Sequence, residues 1–354
     1  MPQKKLKKQQ SSAANQPNAL ASKSSVLCRM MEQQPLSSTG LTKDITLKAF
    51  AQYWLTQLKT DLKKSTIYAY NNALNNHICR VFEGMILSDI TSEDVQLFIM
   101  SLVDGMDLDD PLSPKSIRNI HGVLHKMFQD AYDMKVIDEN PAKHTKLPQL
   151  KKPEIIPMNN NQIHAFLTAI IGHELEIFFK LALFTGMRKA ELIGLTWDCF
   201  NFTEGSIRVY RQLSYDKTRR IYFFDTVKNG KPRTIFPASD VMDMMKRLYE
   251  REPNNKFVFR GLTGGEHLSL SQIRSRFESI LDQLGMEQFR FHDLRHTFAV
   301  LSIKAGVDLK TLSETMGHYS VAFTLDTYAF ALTDMKEECA KRMQNFLNEQ
   351  NFRI

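Results

Sequence analysis

Cysteine is scarce. The 354 residues hold 4, Cys28, Cys79, Cys199 and Cys339, and no two are spaced as a C-x-x-C pair. In a chain this long, that pattern excludes a disulfide-built scaffold and a zinc finger, and it points to reduced thiols in a cytoplasmic protein. No run approaches the roughly 18 apolar residues that a membrane-spanning helix needs. No apolar stretch follows the basic first residues, so a secretory signal is not expected. The chain also lacks any internal repeat.

What is present is core material and positive charge. Hydrophobic residues make up 43%, with 23 Phe and 17 Met, and charged residues 24%. A soluble globular protein with two or three domains is expected from this length and balance. The formal net charge of +7 is compatible with a polyanionic partner such as DNA, though many basic proteins bind none.

Residues 1–43 are rich in Lys, Gln, Ser and Asn and are expected to form a disordered tail. It either touches phosphates or merely aids solubility. Residues 44–148 carry helical patterns. Leu47, Phe50, Tyr53, Trp54 and Leu58 recur at helix spacing, and Ser65 reads as an N-cap. Thr91 and Asp94 open a further helix. Ser113 followed by Pro114 opens another, with Ile117, Ile120, Val123, Leu124, Met127, Phe128 and Ala131 on one stripe. Such helices close a small all-α domain.

Pro148, Pro153 and Pro157 with neighbouring lysines mark a linker, placed at 149–158. Residues 159–354 open with helical segments at 160–172 and 174–195. Apolar alternation through Ile207, Val209, Ile221, Phe223 and Ile235 then predicts a small antiparallel sheet, with Asn229-Gly230 as a hairpin turn. Helical patterns return to the end, the last at 334–347. The expected fold is therefore mainly α with a small antiparallel β-sheet: a helical domain followed by an α+β domain.

Three stretches carry chemistry. In LFTGMRKAELIGLTW, Arg188 follows Gly186 at the start of a helical run, and Glu191 lies one turn on. Glu191 either orients Arg188 or forms a surface pair with it. In TVKNGKPRTIF, Lys228 precedes the turn, with Lys231 as a competitor for any role. In residues 289–330, His292 and Arg295 share a helix face, His318 follows Gly317, and Tyr328 comes ten residues later. Each has a plain alternative. Arg188 and Lys228 read as solvated side chains, His318 as a cap, and Tyr328 as a half-buried aromatic. His292 and His296 at i, i+4 would suit a metal, but Arg295 would set positive charge against it.

Taken together, the stretches resemble the tyrosine recombinases of the phage-integrase type. The family pattern T-G-x-R-x-x-E-L is met by Thr185, Gly186, Arg188, Glu191 and Leu192. H-x-L-R-H-T is met from His292 to Thr297. L-G-H becomes Met316-Gly317-His318, and T-x-x-x-Y is met by Thr324 and Tyr328. Lys228 leads a K-x-G-K-x-R hairpin, with Asn229 in place of the usual Thr.

The resemblance implies a helical core-binding domain and a catalytic domain that cleave and rejoin double-stranded DNA through a 3′-phosphotyrosine. It assigns Tyr328 as nucleophile, and Arg188, Arg295 and His318 as phosphate ligands. His292 becomes the assisting base, Lys228 the general acid, and Glu191 a brace. It implies no metal or other cofactor. Four protomers would form the synaptic complex, with an accessory directionality factor as a candidate partner. Integration or excision of a mobile element is the expected task. The alternatives are a Xer-like resolvase, a topoisomerase-like nicking and resealing enzyme, and a DNA-binding protein without catalysis. The 334–347 helix either packs on its own domain or docks on a neighbouring protomer.

Overall fold

The computed structural model describes residues 43–60, 62–105, 110–150, 155–333 and 336–350. The expected tail therefore lies, apart from Lys43, outside the described residues, as do 151–154 of the expected linker. The chain divides into two compact units between Lys151 and Lys152.

Among the described residues, the regular structure of the first unit is helical apart from one isolated bridge, Thr46 to Ile86. Its helices are α1 (Leu47–Leu58), α2 (Lys64–Ala73), α3 (Cys79–Phe82), α4 (Ser92–Asp104) and α5 (Pro114–Asp133), with a π-helical turn at Leu74–Ile78 between α2 and α3. The caps explain the boundaries. Thr91 Oγ1 accepts from Asp94 N, and Asp94 in return accepts from Thr91 N, a reciprocal cap that holds the start of α4. Ser113 Oγ accepts from Ser116 N ahead of Pro114. Ser65 is not a cap. Lys63 holds that position and its side chain does not cap the helix, so Ser65 falls inside the first turn of α2.

The stripe on α5 is buried along its whole length and meets Leu47, Phe50, Trp54, Phe82 and Phe98 in one core. Trp54 stacks on Tyr70, and its indole N–H donates to Asp130 at 2.6 Å. A large buried ring thus keeps its one polar atom satisfied.

The second unit holds the strands. Helices α6 (Asn160–Ala169), α7 (Glu176–Thr185) and α8 (Lys189–Ile193) lead into β1 (Phe200–Asn201), β2 (Ser206–Val209), β3 (Arg211–Asp216), β4 (Ile221–Thr226) and β5 (Arg233–Ile235). Then come α9 (Ser239–Arg251), α10 (Leu270–Gln283), α11 (Asp293–Lys304), α12 (Leu309–Met316), α13 (Val321–Thr333) and α14 (Lys336–Glu349). Phe166, Phe178, Phe179 and Phe277 pack edge-to-face or tilted at the centre of the main core. A smaller core joins Ala299, Val300 and Ile303 of α11, Leu312 and Met316 of α12, and Tyr328 of α13. Met158, within the span expected as linker, is buried in the main core, and its N–H donates to Thr297.

Two further expectations need correction. The segment 174–195 is two helices, because Gly186 adopts a left-handed φ of 61° and ends α7. A Cβ at Gly186 would also run into the Phe298 ring, so only glycine fits. The Asn229-Gly230 turn does not close a hairpin. β4 pairs with β3, whereas β5 pairs with β2 in a separate sheet ordered β1-β2-β5. The turn carrying Lys228 thus connects two sheets. Among the described residues, no helix is long and apolar enough to cross a membrane.

Candidate active site

The site is built around the C-terminal end of α12. The last carbonyls of a helix have no partner within it, and here arginines supply the donors. Arg233 Nε donates to Thr315 O at 2.7 Å, Arg295 Nη2 to Met316 O at 2.6 Å, and Arg188 Nη2 to Gly317 O at 2.8 Å. Arg295 Nη1 also reaches back to Gly186 O at the end of α7, at 2.5 Å. Gly317 has a φ of 64°, and a Cβ there would lie 2.9 Å from Arg233 Nη1. That glycine lets the guanidinium approach. Asn229 Nδ2 donates to the same Gly317 carbonyl at 3.1 Å, which brings the turn holding Lys228 to this edge. Lys228 itself is exposed.

One carboxylate balances the cations. Glu191 is 1% exposed and is not a surface residue. Its Oε1 accepts from Arg188 Nη1 at 2.9 Å and Arg233 Nη1 at 3.0 Å, and its Oε2 accepts from Arg188 N at 2.9 Å and Arg233 Nη2 at 2.7 Å. Burial alone would raise its pKa, but the hydrogen bonds and charges of Arg233 and Arg188 outweigh it and bring it to about 2. Arg295, 4% exposed, is pushed down to about 9 by burial and by Arg188, and stays charged at neutral pH. Each guanidinium has five N–H donors and spends only part of them on the protein.

The histidines and the tyrosine complete the cluster. His318 Nδ1 lies 2.7 Å from Thr324 Oγ1. Burial, Arg295 and Arg188 lower the His318 pKa to about 3. His292, at the N-cap of α11, is lowered to about 4, mainly by burial and by His296. Both rings are therefore neutral at physiological pH. Tyr328 is 1% exposed and sits at a kink in α13, with φ −119° and ψ 17°. Burial raises its phenol to about 12, against the opposing pull of Arg295. Its hydroxyl oxygen lies 2.8 Å from His296 Nδ1, not from His292, whose ring meets His296 edge-on at 5.0 Å between centroids.

Known proteins resemble this chain in sequence and fold. The profile described as "Phage integrase family" matches residues 157–334, and that described as "Phage integrase, N-terminal SAM-like domain" matches 46–103. The chain belongs to the phage integrase family. It is a tyrosine-type site-specific recombinase. The Tyrosine recombinase XerC-like protein of Caldanaerobacter subterraneus subsp. tengcongensis is 26% identical over 334 residues, covering 86% of this chain and 84% of that protein. The ICEBs1 integrase of Bacillus subtilis is 21% identical, with coverages of 86% and 84%. In fold, the chain is similar to the Tn1549 transposon integrase solved with a circular intermediate DNA. The TM-score is 0.71 at 20% identity, covering 83% of this chain and 99% of that one. It is also similar to lambda integrase solved as a tetramer on a Holliday junction, with TM-score 0.60 at 18% identity and coverages of 87% and 90%.

Against this integrase frame, the structure gathers Arg188, Glu191, Arg295, His318 and Tyr328 around α12, with His292 beside them on the α11 face. Of two further side chains in the cluster, Arg233 carried no role in the sequence and His296 was weighed there only as a metal ligand. Arg233 grips Glu191 with both terminal nitrogens, and His296 holds the phenol. Both lie inside the recognised motifs, so the signal was their place beside residues already singled out.

Proposed function

We propose that Tyr328 is the nucleophile with which this recombinase opens and reseals duplex DNA. The observation that carries the reading is the convergence of Arg188, Arg295 and His318 on the turn at Met316-Gly317, beside the small core that contains Met316 and Tyr328. Arg188 and Arg295 suit two oxygens of one phosphate, because a guanidinium offers planar paired donors and keeps its charge. They would bear the negative charge that grows on phosphorus oxygens in the transition state. His318 adds a further donor, and Glu191 with Arg233 keeps Arg188 in register.

In the reaction, the phenol gives up its proton as its oxygen bonds to phosphorus. The bond to the 5′-oxygen breaks, and Lys228 protonates that leaving group. The products are a 3′-phosphotyrosine and a free 5′-hydroxyl, and the reverse sequence reseals a strand. In the free protein, burial raises the phenol to about 12 and lowers the His292 imidazole to about 4, both of which disfavour transfer between them. On this reading proton loss accompanies attack on phosphorus rather than preceding it. His292 acts as the assisting base on this reading, with His296 holding the phenol until DNA arrives.

Relatives named as integrases of an integrative element and of a transposon support integration and excision of a mobile element as the task. The lambda integrase tetramer supports a synaptic complex of four protomers on two duplexes. The cysteine pattern supports action in the cytoplasm, and a directionality factor belongs to the proposal on the family resemblance. The test is a suicide DNA substrate that traps the covalent link. Tyr328→Phe should bind DNA as well as wild type and give no adduct. An adduct of undiminished yield would place the nucleophile elsewhere.

A further inference from the structure

We propose that Thr324 is a positioning residue that sets the tautomer of His318, so that the imidazole offers an Nε2–H donor to a phosphate oxygen of DNA. This rests on the reading of the site given above and adds how one of its ligands is kept in the right protonation pattern.

Thr324 is 0% exposed, and its Oγ1 lies 2.7 Å from His318 Nδ1. A helical threonine commonly donates to the carbonyl four residues back. Thr327, three residues on, does so, to Phe323 O at 2.5 Å. Thr324 makes no such bond among the described residues; His318 Nδ1 is its one side-chain partner. A buried hydroxyl proton left without an acceptor is costly and rare. The proton of Thr324 therefore goes to Nδ1, which must present its lone pair.

A neutral imidazole carries one ring proton, so that proton sits on Nε2. Neutrality follows from the burial of the ring and from the two guanidinium groups nearby. Nε2 makes no hydrogen bond within the protein among the described residues, and it is not among the buried polar atoms that lack partners, so it is open to solvent. The opposite tautomer would aim a lone pair at an anionic oxygen. Thr324 also stands one helical turn before Tyr328 on α13. The same bond thus ties the His318 loop to the helix that carries the phenol.

Two measurements test this. Long-range 1H–15N correlation spectra of the DNA-free protein report which nitrogen of His318 is protonated, and need no variant. Nε2–H is expected, and a wild-type ring protonated at Nδ1 overturns the proposal. Single-turnover cleavage of a suicide substrate is then compared across variants under saturating DNA. Thr324→Val should slow adduct formation by about 100-fold, the order lost when one preorganised donor to a developing charge is removed, without weakening DNA binding. Thr324→Ser, which keeps the hydroxyl, should recover most of the rate. Thr324→Val at the wild-type rate, or Thr324→Ser slowed as much as Thr324→Val, overturns it. The tautomer is read without DNA or chemistry, so its failure is distinct from that of the nucleophile assignment, which Tyr328→Phe tests.

Discussion

Glu191 shows what a single buried charge does here. It takes four hydrogen bonds from two arginines in a place with almost no water. Removing its charge leaves those guanidiniums facing each other, so Glu191→Gln is expected to cost roughly 3–5 kcal/mol at pH 7. Its folded pKa of about 2 lies below the ordinary 4.5, so its stabilisation is complete above that value and drains as pH falls toward about 2. His292 and His318, buried neutral at about 4 and about 3 against 6.5, act in the same direction, and their loss begins as pH drops below about 6.5. Urea unfolding at pH 7, 5 and 3 should show a steep acid loss in wild type. The Gln variant should start lower and fall less steeply between pH 5 and 3. Equal stability of the two at pH 7 would mean that Glu191 braces nothing. Arg188, Arg295 and His318 stand out in the sequence because each sits in a recognisable string. The grip of Arg233 on Glu191 does not, because it joins residues 42 apart whose meeting depends on where β5 passes α8. Likewise, which of the adjacent His292 and His296 faces the phenol depends on how α11 packs on α13, and spacing is blind to that.

Helix ends were the most legible feature at the scale of elements. Ser113-Pro114 and Thr91 with Asp94 mark starts because capping chemistry is local: a side-chain oxygen and a backbone N–H a few residues apart suffice. Thr91→Ala should cost about 1 kcal/mol through the loss of that cap, seen as a lower urea midpoint with an unchanged slope. A neutral result would mean that Asp94 alone anchors the first turn of α4. Strand pairing was less legible, for a physical reason. Asn229-Gly230 signals that the chain turns, and it does, with Gly230 at φ 68°. A turn does not say which strands it joins, and the two sheets take their partners from Ser206–Val209 and Arg211–Asp216 instead. The split of 174–195 at Gly186 was legible only in part: apolar residues continue through it although Gly186 marks the start of a new helical run, and the φ of 61° and the close approach of Phe298 that require glycine there are features of the folded chain.

At the scale of the molecule, each unit has its own hydrophobic core, with Trp54 at the heart of the first. A fragment of residues 43–150 should therefore fold alone and unfold in one cooperative urea transition followed by Trp54 fluorescence, with a slope of roughly 1–2 kcal/mol per molar. A gradual, non-sigmoidal change would show that this core is too small to stand by itself. The second unit carries the whole candidate cluster, and its closing bonds span long stretches of chain. Arg188 reaches a carbonyl 129 residues ahead, and Arg295 one 109 residues behind. The long-range contacts that close this unit are thus the same ones that gather the guanidiniums proposed to hold phosphate. On the reading proposed above, a chain whose long-range bonds have opened still carries every one of these side chains but no longer holds them together, so strand cutting would arrive only with the completed fold and vanish with the first large opening of it.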